Sequence, residues 1–349
     1  MVFYSMKSHV NIPIFIPHLG CPNQCVFCNQ RTISGVDKFD INDVRNEIES
    51  ALATISEDET AEIAFFGGSF TGIERELMIS LLKLAYEYVL LGRVCGIRCS
   101  TRPDYIDVEV LSILKQYGVK TIELGLQSYD DTVLGLTKRG HTSYDEQIAC
   151  KLIVDLGFEL VGQMMIGLPE SSIETEIATA EFIVKSGASA ARIYPTVVFY
   201  DTELCEMSKD GKYQPLTLED AIIRSAAVLK VFLENNVDVI RIGLCASDNL
   251  GDATKYYAGP NHPALGEMVE SELYLHIITD LIGNVKDHNE DILLISVAKG
   301  CLSKAIGQKK TNKLRLIREY GFADVYFTED EGLSGYKVKI KEERKRKCI

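Results

Sequence analysis

Three cysteines, Cys21, Cys25 and Cys28, stand in the run His-Leu-Gly-Cys-Pro-Asn-Gln-Cys-Val-Phe-Cys-Asn-Gln, directly after an apolar stretch that reads as a strand. Thiolates spaced C-x-x-x-C-x-x-C on one short loop can ligate three corners of a 4Fe-4S cluster and leave the fourth iron without a protein ligand. An open iron can bind a substrate or a cofactor. The same loop permits a second reading, a closed structural zinc site, because His18 lies just upstream of Cys21 and would supply the fourth ligand that zinc takes. Spacing alone leaves both open.

The other seven cysteines, Cys95, Cys99, Cys150, Cys205, Cys245, Cys301 and Cys348, share no metal-ligand spacing and mostly fall in apolar segments, as buried thiols do. The first residues, Met-Val-Phe-Tyr-Ser-Met-Lys, lack the basic start, apolar stretch and small-residue cleavage site of a secretory signal, so a cytoplasmic protein with reduced thiols is expected. No apolar run reaches the ~20 residues that cross a bilayer, and no membrane partner is expected. The 349 residues suit a main domain of roughly 250 residues plus an appendage.

The formal net charge of -13 argues against a general polyanion binder, but the charge is unevenly placed. From Lys299 onward there are 14 Lys and Arg against 7 Asp and Glu, a stretch of about +7 on an acidic body.

To place the cysteines, the chain must supply a scaffold. Short Ile- and Val-rich runs alternate with amphipathic stretches, the signature of an α/β fold with parallel strands joined by helical crossovers. Strands are predicted at Ile12–Pro17, Glu62–Phe66, Gly96–Ser100, Thr121–Leu126, Leu160–Ile166, Ala191–Val198 and Val237–Ile242. Helices fit at Ile41–Ile55, Glu74–Leu91, Val108–Tyr117, Tyr144–Leu156, Ile173–Lys185 and Leu218–Asn235. Such units close a partial (β/α)6-type barrel, whose chemistry lies at the C-terminal ends of its strands. There lie the cysteines, Gly67-Gly68-Ser69-Phe70, Ser100-Thr101-Arg102-Pro103-Asp104, Gln127-Ser128, Gly167-Leu168-Pro169 and Tyr194-Pro195-Thr196, so all of them are expected to face one cavity. The boundary is drawn near Leu250, giving a barrel over 1–250 and a basic α/β region over 251–349.

At this point the chain resembles the radical S-adenosylmethionine (SAM) superfamily, and within it the catalytic subunit of the Elongator complex and its relatives. The runs that carry the resemblance are GGSF, STRPDYID, IELGLQS, KRGHT, MMIGLP and YPTVVFYDTEL, between roughly Asn11 and Gly243. The resemblance implies that SAM chelates the open iron and that one electron from the reduced cluster cleaves it to methionine and a 5'-deoxyadenosyl radical, which abstracts hydrogen from a substrate. It makes Cys21, Cys25 and Cys28 the cluster ligands, places Phe27 near the adenine, and gives the backbone at Gly67 and Gly68 to the SAM amino group. Ser100 and Arg102 become candidates for the ribose and carboxylate, Gln127 for the ribose edge, and Arg139 with His141 for the carboxylate or the substrate. Each has a plainer role open to it; Arg102, for instance, can simply brace the turn before Pro103. Met164 and Met165 suit the core as well as a cofactor wall, Tyr194 and Tyr200 suit packing as well as a polar substrate, and a hydrogen-bonded loop position suits His262. The substrate implied is a tRNA base, with a reductant such as flavodoxin or ferredoxin as partner. The Elongator subunit spaces its first two cysteines further apart and carries an acetyltransferase domain; no acetyl-CoA phosphate loop is identifiable after Leu250, so the resemblance does not carry acyl transfer.

In the basic region, Ile292–Val297 reads as a strand, Leu302–Ile306 and Lys313–Tyr320 as helices, and Val325–Thr328 and Tyr336–Ile340 as further strands. This order is similar to a KH RNA-binding fold, whose G-x-x-G loop clamps a nucleic-acid backbone. Lys310 stands where the second glycine belongs, and Lys309, Lys310 and Lys313 are the candidate phosphate contacts. A small α/β cap with a solvated basic face fits the same residues. Two alternatives to an RNA-modifying radical enzyme stay open: a radical enzyme acting on a small molecule or protein, and a non-catalytic RNA-binding protein with a structural metal site.

Overall fold

The computed structural model describes residues 8–343 apart from 17–18, 22–24, 30–31, 33–38, 57, 245–253 and 284–290. His18, Cys245, Cys348 and the boundary drawn at Leu250 lie outside the described residues. The chain divides into two compact units, one comprising Met1–Thr217 and Val231–Asn261, the other Leu218–Lys230 and His262–Ile349.

In the first unit the strands are β1 (Ser8–Ile16), β2 (Glu59–Gly67), β3 (Gly96–Thr101), β4 (Val119–Gln127), β5 (Glu159–Ile166), β6 (Ala190–Pro195) and, after the short β7 (Val198–Phe199), β8 (Asp238–Ile242). All but β7 form one parallel sheet in the order β1-β2-β3-β4-β5-β6-β8, curled into a partial barrel as the alternation of strands and helices predicts. β7 instead pairs antiparallel with β9 (Tyr256–Ala258). The middle strands are buried along nearly their whole length because helices cover one face and the barrel interior closes the other, which is why they read as continuous Ile/Val/Leu runs.

The crossovers are α1 (Ile41–Leu52), α2 (Arg75–Leu90), α3 (Val108–Gln116), α4 (Asp131–Leu136), α5 (Ser143–Asp155), α6 (Ile173–Lys185) and α7 (Glu203–Lys209), while α8 (Leu218–Glu234), next in the chain, belongs mostly to the second unit. Their starts are written in the sequence. Asp40 and Asp107 accept hydrogen bonds from the first-turn amides of α1 and α3, while Thr142 and Ser172 form reciprocal capping boxes at α5 and α6. Helices α4 and α7 lie in segments where the sequence reading placed no helix; both are short, with Asp130 and Thr202 as their caps.

The second unit contains α9 (Leu265–Ile282), β10 (Ile292–Val297), α10 (Leu302–Ile306), α11 (Thr311–Tyr320), β11 (Asp324–Glu329) and β12 (Val338–Glu343). Its sheet has the order β11-β10-β12, with β10 parallel to β11 and antiparallel to β12. Tyr274, Ile278, Leu293, Ile295, Leu316 and Val325 fill its core. At its centre the buried Asn312 amide donates to the Ser271 and Ala305 carbonyls, fastening α11 to α9 and α10.

Candidate functional site

The C-terminal ends of the parallel strands open onto one cavity of about 880 Å³. Cys21, Cys25, Phe27 and Cys28 line it from the loop after β1, Gly67 and Gly68 from β2, Ser100 and Arg102 from β3, Gln127 from β4, and Met165 and Tyr194 from β5 and β6.

The cysteine loop is held by partners far along the chain. The Val26 amide donates to the Thr137 carbonyl at 3.2 Å, and the Val26 carbonyl accepts from the Leu204 amide at 2.8 Å. Asn29 Nδ2 donates to the Tyr200 carbonyl at 3.2 Å. Val26 is buried in a small core with Val198, Leu204, Cys205 and Tyr213, against which Phe27 packs. A turn closes the loop, with the Cys28 amide donating to the Cys25 carbonyl at 3.0 Å.

Gly67 and Gly68 are required by close approach. The Gly68 amide donates to the Ile16 carbonyl at 2.8 Å and the Ser69 amide to the Leu19 carbonyl at 3.1 Å. Gly67 has φ +108, and a Cβ there would lie 2.9 Å from the Ile16 carbonyl oxygen; one on Gly68 would collide with the Leu19 carbonyl oxygen. The glycine pair thus lets β2 lie against the backbone that leads into the cysteines.

Two buried guanidinium groups stand beside the thiols. Arg102 forms a double hydrogen bond to Asp104, with Nε and Nη2 each 2.9 Å from a carboxylate oxygen. Its Nη2 also donates to the Arg139 carbonyl, and its Nη1 is buried without a partner. Arg139 Nη1 donates to Cys25 Sγ at 3.4 Å and Nη2 to the Gly125 carbonyl at 2.5 Å, while Nε is buried without a partner. Burial pushes the Cys21 thiol up, and the Arg139 charge pulls it back.

His141 does not reach the cavity. Its side chain is fully enclosed, with Nε2 3.0 Å from Glu146 Oε1. Burial and the Arg139 charge push its pKa down to about 3, and burial raises that of Glu146 well above the usual carboxylate range, each shift favouring the uncharged form. Met164 is a core residue, Tyr200 is packed edge-on to Tyr257, and His262 Nδ1 accepts from the Ala264 amide ahead of α9. The Gly167-Leu168-Pro169 turn is closed off too: Tyr213 Oη donates to the Gly167 carbonyl at 2.5 Å, and β5 presents Met165 and Gln163 to the cavity instead. Of the other thiols, Cys99 and Cys150 are buried and pushed up to about 12 by desolvation.

The floor of the cavity escaped the sequence reading. Glu123, fully buried on β4, accepts from Arg192 Nε at 2.8 Å and Nη2 at 2.9 Å, from Arg98 Nη1 at 2.9 Å and from Gln163 Nε2 at 2.8 Å. Arg98 also donates to Glu62 at 2.8 Å. Two carboxylates and two guanidiniums therefore balance in charge. The signal was an out-of-place charge in each of four apolar strands: Glu62, Arg98, Glu123 and Arg192. Gln127, at φ +72 beside a register shift between β4 and β5, is a non-glycine residue in the left-handed region, a conformation that concentrates at functional sites.

The profile of the radical SAM superfamily matches residues 15–183, and that of the radical SAM C-terminal domain matches residues 188–274. The chain belongs to the radical SAM superfamily. A tRNA uridine(34) acetyltransferase of Methanocaldococcus infernus is 35% identical over 133 residues, covering 37% of this chain and 25% of that protein. Human Elongator complex protein 3 is 33% identical over 142 residues, covering 40% and 26%. An uncharacterised protein of Methanocaldococcus jannaschii is 28% identical over 256 residues, covering 70% and 77%. Among solved structures, an N-terminally truncated Elp3 of Methanocaldococcus infernus superposes with a TM-score of 0.63 at 23% identity, over 79% of this chain and 65% of that one, a likeness of fold. The chain thus spans about a quarter of the length of the acetyltransferase and Elongator relatives.

As a radical SAM protein, the chain takes a 4Fe-4S cluster and SAM as its cofactors. The residues at the cavity fit that pair. The orphaned buried nitrogens of Arg102 and Arg139 suit an anionic cluster and a carboxylate.

Proposed function

We propose that the protein is a radical SAM enzyme that modifies a base in tRNA, with Cys21, Cys25 and Cys28 holding the cluster. When bound, the cluster supplies the electron that cleaves SAM to a hydrogen-abstracting 5'-deoxyadenosyl radical. Phe27 would pack beside the adenine, the strand-end backbone at Gly67 and Gly68 would meet the amino group, Arg102 Nη1 would meet the carboxylate, and Ser100 and Gln127 would bind the ribose. The floor of Glu123, Gln163 and Arg192 offers a base edge fixed donors and acceptors, and the curled sheet keeps water from the reacting atoms.

The observation that carries this reading is the single cavity joining three thiols to a polar floor. At about 880 Å³ it stands near the top of the ~300–1,000 Å³ range of ligand sites, as befits cofactor and substrate together. The named relatives support a tRNA substrate. Acyl transfer is not part of the proposal, because the match covers a quarter of the acetyltransferase.

In the second unit, Lys309 and Lys310 are exposed between α10 and α11, both left-handed at φ +51 and +62, and would meet the RNA backbone. Lys313 is engaged by Asp324 at 2.8 Å and lies over the Tyr326 ring. A one-electron donor of the flavodoxin or ferredoxin class and a cytoplasmic setting complete the reading; among the described residues no helix is long and apolar enough to cross a membrane.

The test is anaerobic reconstitution with iron and sulfide, then dithionite and SAM, following 5'-deoxyadenosine with and without bulk tRNA. Release stimulated by tRNA supports the proposal, and Cys25→Ala should abolish both iron binding and release. Release indifferent to tRNA would overturn the substrate class, and stoichiometric zinc without SAM cleavage would overturn the chemistry.

A further inference from the structure

We infer that Arg139 tunes the reduction potential of the cluster through Cys25, acting on the redox centre rather than as a clamp on the SAM carboxylate. The inference rests on the reading of Cys21, Cys25 and Cys28 as cluster ligands.

Arg139 is 7% exposed. Among the described residues no ion pair joins it to a carboxylate, whereas its neighbour Arg102 is matched by Asp104. A buried cation without a counter-charge is costly unless the site holds an anion when complete. The guanidinium is also aimed: Nη1 donates to Cys25 Sγ, and Nη2 is fixed by the carbonyl of Gly125. The fold makes room for it, because a Cβ on Gly125 would lie 3.0 Å from Nη2. The backbone amide of Arg139 donates to the Leu134 carbonyl at 3.0 Å, anchoring the residue to α4.

A hydrogen bond to a ligating sulfur and a fixed positive charge beside it are among the main ways a protein sets the potential of an iron–sulfur centre. In the reduction considered, one electron passes from a low-potential one-electron donor to the cluster; the donor is oxidised, the cluster gains one negative charge, and no proton moves. Arg139 stabilises the more negative state and so raises the potential toward the reach of the donor.

The experiment is a redox titration of the reconstituted, SAM-free holoenzyme, following the EPR signal of the reduced cluster in the parent chain and in Arg139→Gln. SAM affinity is measured separately. The expected result is a fall of about 59 mV or more in Arg139→Gln, a tenfold change in a one-electron equilibrium, with SAM affinity within threefold of the parent. An unchanged potential together with lost SAM affinity would overturn the inference and return Arg139 to the carboxylate. Should Arg139→Gln fail to hold the cluster, pulsed EPR of Arg102→Lys carrying 15N-arginine decides, since Arg102 is then unlabelled: a nitrogen coupling to the reduced cluster is expected, and its absence overturns the assignment. A parent chain that takes up no cluster would instead defeat the reading on which the inference rests.

Discussion

Glu123→Gln preserves the shape of the cavity floor and removes one charge from it. In the parent, Glu62, Arg98, Glu123 and Arg192 sum to zero, and Glu123 accepts from both guanidiniums. After the substitution Arg98 keeps Glu62, but Arg192 loses the carboxylate that it grips through Nε and Nη2, and the new amide turns a donor toward one of the two cations. Glu123 is 0% exposed, so solvent cannot take over the screening. Removing one partner of a buried ion pair costs about 3–5 kcal/mol. At roughly 2–4 °C per kcal/mol for a unit of this size, Tm should fall by about 6–20 °C. The assay is anaerobic thermal and urea unfolding followed by circular dichroism. The double variant Glu123→Gln with Arg192→Met restores charge balance and should recover at least about 1 kcal/mol relative to the sum of the single variants, the coupling expected of residues in contact. A single variant within about 1 kcal/mol of the parent, or strictly additive losses, would refute the argument by showing that water reaches the floor and screens it.

His141 gives a pH prediction. Its pKa in the fold is about 3, against about 6.5 in an unfolded chain, so below that higher value the unfolded state binds a proton that the fold refuses and stability falls as pH falls. At about 1.4 kcal/mol per pH unit, the loss through this residue between pH 7 and pH 5 is about 2 kcal/mol; urea titrations at the two pH values should show His141→Gln losing that much less than the parent, and equal losses would mean that His141 charges within the fold. Gly68→Ala drives a methyl group into the Leu19 carbonyl, an overpacking worth about 1–3 kcal/mol, and should cut iron uptake severalfold while the far-ultraviolet spectrum persists. Full iron loading would show that the loop yields. In the second unit, Asn312→Leu leaves the Ser271 and Ala305 carbonyls without their donor and should cost about 1–3 kcal/mol in urea unfolding; an unchanged midpoint would show that water replaces the amide.

The parallel strands and the long crossovers were legible because parallel β structure buried on both faces reads as unbroken Ile/Val/Leu runs, and because caps such as Asp107 and Thr142 announce their helices. Helix α9 was not legible: its apolar residues, from Leu265 to Ile282, face all sides because it runs through the core of its unit, so no stripe marks it. At the site, the cysteine spacing and the glycine pair carried their meaning locally. The floor did not, since Glu62, Arg98, Glu123 and Arg192 come from four strands and only pairing of the sheet brings them together. The left-handed backbone at Gln127 was invisible because the residue there is not a glycine. Nor does a sequence tell a histidine that faces a cavity from one shut away with Glu146.

The anchors of the cysteine loop bear on how the protein is made. Cys21, Cys25 and Cys28 are synthesised ahead of what fixes their loop: Thr137, Arg139, Tyr200 and Leu204 follow more than 100 residues later. Contacts so distant in sequence form late. Until those partners are made the loop lacks the contacts that hold it, and its three thiols are open to stray metal, to oxygen and to one another. On the proposed assignment of these cysteines, a cluster delivered before Leu204 has been made would meet a loop that is not yet held in shape.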